Sequence, residues 1–182
     1  REGRNPHDAI ELLEAADVVS SGNQLLLTEY AYSLLAVGRY EDAVDLSLTI
    51  LQADPKDTRG FYVAGEALYQ LGRHKSAYDN FKKGAAQGGN LSHRKQEQEE
   101  SYAMAEQFYA SGRCAYRMND FTVTQARFDH GRNWHSKHTG SWLGLAQVFY
   151  ETNKDESARG NYCEPVLDYN PNSAGAHYWS SK

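Results

Sequence analysis

The feature that most restricts what this chain can fold into is an offset of thirty-four residues at which small residues recur. Gly38 returns as Gly72, Ala43 as Ala77, and Asp42 is answered by Ser76. A period of that length marks stacked helical hairpins, because each hairpin can bury its apolar face only against a neighbour. The fullest copy is LLTEYAYSLLAVGRYEDAVDLSLTILQADP, residues 26–55. Such an architecture points to binding surfaces and away from catalysis.

Residues 6–19 place Ile10, Leu13 and Val18 at helical spacing, with Ala9 and Ala16 between them. Asn5 is an N-cap candidate and Pro6 suits the first helical position, where a missing N–H costs nothing. One helix over 6–19 is predicted, the second of a partial repeat (1–23) whose first helix lies upstream, so the chain is expected to be a fragment of a longer array. Repeats follow over 24–57 and 58–91. In the first, helices over 24–37 and 40–53 meet at Gly38. Residues 92–104, SHRKQEQEESYAM, form a polar, helix-favouring insertion, and one long helix over 92–118 is the simplest reading; a charged linker is the alternative. Repeats resume over 105–138 and 139–172, with Asn119 and Asn153 in place of the turn glycine. Residues 173–182 start a further repeat. Pro165 is expected to kink or shorten its helix. Ten helices result, the last truncated.

Residues 24–57 resemble the tetratricopeptide repeat (TPR), with Leu27, Ala31, Gly38, Tyr40, Ala43 and Pro55 at positions 4, 8, 15, 17, 20 and 32; Ser47 misses the aromatic at 24. Phe61, Gly65, Leu68, Gly72, Ala77 and Phe81 match in the second repeat, Phe108, Gly112 and Phe128 in the third, Trp142, Ala146 and Tyr162 in the fourth. The resemblance implies an all-α, right-handed superhelical solenoid forming a single array over 1–182. The order of features, with LLAVGRYEDAVDL, then FYVAGEALYQLGRHKSAYDNF, then a charged insertion, is similar to the TPR region of cytosolic J-domain co-chaperones, although no J domain is present. It implies a cytoplasmic co-chaperone adaptor with a chaperone-related partner. The family's carboxylate clamp uses Lys and Asn at 5 and 9 of one first helix, Asn at 6 of the next, and Lys and Arg at 2 and 6 of the third. Successive repeats offer Thr28, Tyr32, Val63, Glu106 and Ala110; then Tyr62, Glu66, Ala110, Gly140 and Gly144; then Tyr109, Arg113, Gly144, Gly175 and Trp179. None of these sets is the clamp.

The formal charge of −5 gives no ground for a nucleic-acid partner, and no apolar run reaches membrane length. Cys114 and Cys163 lie in separate repeats without ligand-like spacing and read as small buried hydrophobes. Asn90-Leu91-Ser92 is a formal glycosylation sequon of the kind chance produces. Gly60 and Gly65 have phosphate-loop spacing, but Glu66-Ala67 stand where Lys and Ser/Thr are needed. His135 and His138 could share a metal, yet no Cys or carboxylate is near in sequence. His177-Tyr178-Trp179 reads as core, and no Ser/His/Asp set stands out from scatter. No enzyme activity, cofactor or metal is expected.

At about 100° per residue, positions 5, 9 and 12 of each first helix share one stripe, apart from the packing stripe at 4, 8 and 11. It carries Thr28, Tyr32 and Leu35; Tyr62, Glu66 and Tyr69; Tyr109, Arg113 and Tyr116 with Arg117; and Leu143, Gln147 and Tyr150. Tyr and Arg are favoured at binding hot spots. A peptide or helix lying across Tyr69, Tyr109, Arg113 and Tyr116 is therefore expected, with an acidic group against Arg113. A purely architectural subunit, or the targeting arm of an enzyme whose catalytic domain lies elsewhere, are the alternatives.

Overall fold

A computed structural model describes residues 5–87, 98–153 and 156–181 of the chain. Among these residues it is all-α, with eleven helices: α1 Pro6–Ala15, α2 Val18–Ser21, α3 Gln24–Ala36, α4 Tyr40–Ala53, α5 Thr58–Gln70, α6 His74–Gln87, α7 Gln98–Arg117, α8 Phe121–Trp134, α9 Thr139–Asn153, α10 Glu156–Tyr169 and α11 Ala174–Ser180. They fall into two compact units, Arg1–Gln87 and Gly88–Lys182.

In the first unit α3 packs on α4, α4 on α5 and α5 on α6, with α3 beside α5. Asn23 and Asp57 start α3 and α5 by accepting two backbone N–H groups each. The hairpin turns stop helices by one device. Gly38 and Gly72 take left-handed φ values of 80° and 75°, where a side chain would be strained. The next residue's N–H then reaches back to close the last turn, Arg39 N to Leu34 O and Arg73 N to Leu68 O, both at 2.9 Å. α1 is tied to α3 through Glu14, whose Oε1 accepts from Tyr30 Oη at 2.8 Å and Arg39 Nη1 at 2.9 Å.

The second unit repeats the scheme: α7 on α8, α8 on α9, α9 on α10 and α10 on α11, with α7 beside α9 and α9 beside α11. Asn119 stands where the first unit has glycine, at φ 59°, and Asp120 N closes on Ala115 O. Asn tolerates this conformation through its short polar side chain. The cores share a close approach of ring to backbone. A Cβ on Gly65 would lie 2.7 Å from the Phe81 ring, and one on Gly112 would lie 2.5 Å from the Phe128 ring. Gly144 of α9 meets the other side of Phe128, where a Cβ would lie 2.6 Å away. Phe128 is thus held between two glycines, one from its own hairpin and one from the next. Cys114 and Cys163 are buried thiols, as their spacing suggests.

Three expectations change. The helix over 6–19 is broken at Asp17, which adopts a left-handed φ of 45° and separates α1 from α2, so eleven helices replace ten. Pro165 does not shorten α10, which continues to Tyr169 because Val166 and Cys163 are buried and hold the segment against α9 and α11. Tyr178 is exposed, so the aromatic start of α11 is only partly core; Trp179 packs on Tyr150. Residues 88–97, with the first six residues of the insertion and the Asn90 sequon, lie outside the described residues, and α7 is described from Gln98. Asn153 ends α9 beside residues 154–155, which also lie outside them.

Candidate functional site

In the first unit the stripe is set by α3 and α5. Tyr32 is exposed, and its ring lies 6.4 Å from that of Tyr62, which in turn meets Phe81 edge-on at 5.7 Å. Partial desolvation of the hydroxyl pushes the Tyr32 pKa above its ordinary value. Glu66 accepts from Gln70 Nε2 at 2.9 Å, and Tyr69 packs on His74 at 5.1 Å. Thr28 is buried with its hydroxyl on Gln24 O, so this stripe position faces inward.

The second unit brings more of the stripe into contact. Tyr109 rests on Phe128 and His138, both at 5.5 Å, and its ring lies over Gly140, where a Cβ would come within 3.0 Å. The Arg113 guanidinium sits 5.8 Å from the Tyr109 ring centroid. Tyr116 Oη donates to the Glu151 carboxylate at 2.6 Å, and Gln147 Nε2 donates to Tyr116 Oη at 2.8 Å. Tyr150 is packed against Trp179 at 5.8 Å. Desolvation, and then the bond to Glu151, raise the Tyr116 pKa, which keeps the phenol a donor. Arg117 is exposed at the end of α7. Tyr109, Arg113, Tyr116 and Gln147 therefore share the α7–α9 face, and Tyr150 is turned toward α11. Tyr69 belongs to the other unit.

A constellation hidden in the sequence lies under the same face. His138, buried between α8 and α9, accepts from Ser141 N at its Nδ1 (3.1 Å) and meets Ser141 Oγ at 2.8 Å. This places the ring proton on Nε2, which donates to Glu106 Oε1 at 3.0 Å. Ser, His and Glu in line suggest a nucleophile, but Ser141 is fully buried with its hydroxyl pressed against Gly131, so no substrate reaches it. The set works as a cap and a brace: His138 satisfies an N-terminal amide of α9 and ties α9 to α7. With both ring nitrogens engaged, His138 is also a poor partner for His135 at a metal. Burial pushes the Glu106 carboxyl up, but bonds from His138 and Tyr102 and the nearby charges outweigh it, and its pKa falls below the ordinary value.

Consecutive helices pack antiparallel in each unit, turn by the same motif, and set their first helices side by side, as in solved repeat structures. YrrB, a TPR protein with an unusual peptide-binding site, superposes with a TM-score of 0.67 at 16% identity, over 94% of this chain and 81% of its own. MamA superposes with a TM-score of 0.71 at 13% identity, over 91% of this chain and 88% of its own. The fold is the TPR fold. No protein-family model matches the sequence, and no curated protein matches it. In TPR terms Glu106 stands at position 2 and Glu151 at position 13 of their repeats. Neither was in the expected stripe, although Tyr102, Glu106, Tyr109, Arg113 and Tyr116 recur at alternating steps of four and three. Tyr102 escapes a reading that starts the repeat at residue 105. No helix among the described residues is long and apolar enough to cross a membrane.

Proposed function

We propose that the chain is a protein–protein interaction scaffold whose α7–α9 face receives a partner segment, with Tyr32, Tyr62, Glu66 and Tyr69 forming a contact surface on the first unit. The observation that carries this reading is the pair of aromatic side chains on α7 held in place by neighbours: Tyr109 by Phe128 and His138, Tyr116 by Glu151 and Gln147. Rings fixed before binding lose little conformational entropy on contact. Arg113, Arg117 and Gln147 add directional donors among them. The likeness to YrrB supports the fold of such a scaffold.

The test is a pull-down from cell extract with the wild-type chain and with a Tyr116→Ala variant, each kept well below its melting temperature. A hot-spot truncation costs about 2 kcal/mol or more of affinity. Partners should be lost from this variant while exposed substitutions on the outer face of α8, such as Asn133→Ala, retain them. Identical retention by all forms would overturn the proposal.

A further inference from the structure

We propose that the Tyr102 end of this face binds a lysine or arginine side chain of the partner against Glu106, with an acidic side chain about three residues away meeting Arg113. The inference rests on the interaction face proposed above and specifies the charge order of its occupant, an extended peptide segment.

Tyr102, Glu106, Tyr109 and Arg113 lie on one stripe of α7, at the steps of four and three that align side chains along a helix. The Glu106 side chain is 27% exposed, buried enough to be fixed and open enough to be reached. What fixes it is the imidazole N–H that His138 donates at 3.0 Å. Its ion-pair partner among the described residues is His138, and the charge of Arg113 acts on it from further along the stripe. A carboxylate oriented by such a donor keeps lone pairs and charge for a cation. The rings of Tyr102 and Tyr109 flank the same imidazole, at 5.2 and 5.5 Å, so a cation above Glu106 also meets aromatic surface.

Arg113 lies seven residues further along, about 10 Å at the rise of a helix. An extended partner covers that distance in about three residues. The preferred occupant therefore has a basic residue, two intervening residues and an acidic one, the reading direction being left open by the geometry. A segment with acidic groups at both points would set a carboxylate against Glu106, and that repulsion selects against it.

The test selects binders from a displayed library of random linear peptides and synthesises the best. Binders should pair Lys or Arg with Asp or Glu three residues apart. Glu106→Gln keeps an oxygen for His138 while removing the charge, so the fold should survive, as a helical spectrum and melting curve would verify. Its affinity for the selected peptide should fall roughly tenfold or more, the effect of one charged hydrogen bond. A peptide with norleucine for the basic residue should bind both forms alike, which isolates the pair. Binders without the charge pair, or unaffected by Glu106→Gln, overturn this inference. If they still fail on Tyr116→Ala, the interaction face stands and only its charge order falls. A library that yields no binder, or binders indifferent to Tyr116→Ala as well, overturns the face and this inference with it.

Discussion

Phe128 has almost no freedom, since a glycine of α7 and one of α9 press on its two sides. Gly112→Ala would place a methyl group 2.5 Å from the ring, far inside van der Waals contact. Overpacking of this kind costs about 1–3 kcal/mol, so the expected outcome is a clear drop in the urea midpoint. Phe128→Leu in the same chain should recover part of it, since neighbours that share one space do not act additively. Glu106 gives a second residue-scale expectation. Its folded pKa lies below the ordinary 4.5, so its contribution is complete above that value and disappears as pH falls through the depressed one. Unfolding titrations from neutral to acid should show Glu106→Gln losing less stability than wild type over that interval. Equal acid sensitivity would contradict the assignment.

At the scale of an element, α9 depends on a residue outside it. His138 caps its first turn and reaches α7 through Glu106. His138→Ala removes the cap, a buried ring and a brace at once, and a loss of about 2–4 kcal/mol is expected. His138→Asn can still cap but is too short for Glu106, so it should fall between the two. Amide exchange at Ser141 should accelerate in the alanine variant and much less in the asparagine one. The same element shows what is legible in sequence. Helix starts and turns are readable because Asn23, Asp57, Gly38, Gly72 and Asn119 have local reasons to be where they are. The break at Asp17 is not, because Ala15-Ala16-Asp17 contains no breaker and the left-handed residue is not a glycine. That Tyr109, Arg113 and Tyr116 line one stripe of α7 follows from angular spacing alone. Glu106 and His138 escape it, since thirty-two residues separate them and only the antiparallel return of the chain joins them. Thr28 fails for the opposite reason: an angle cannot tell which side of a stripe the neighbouring hairpin covers.

At the scale of the whole molecule, stability in such arrays is a sum of local units and nearest-neighbour contacts, and so is specificity. Peptides ending in an acidic chaperone tail should bind weakly or not at all. Glu106 holds one position that the carboxylate clamp gives to a lysine, and at another Gly140 lies beneath the Tyr109 ring. Calorimetry showing low-micromolar binding that depends on the peptide's free C-terminus would contradict this. The seating of Phe128 has a consequence for how the gene can be rearranged. A thirty-four-residue period invites the view that hairpins are exchangeable cassettes, with crossover points in the turns between them. Here the turn after α8 is a poor crossover point, because Phe128 on one side depends on Gly144 on the other. The corresponding residues in the other repeats are Glu29, Val63 and Ala110, each of which would push a side chain into the ring. A cut inside the hairpin is no better, because it parts Phe128 from Gly112, so the segment that can be transferred intact runs from α7 through α9.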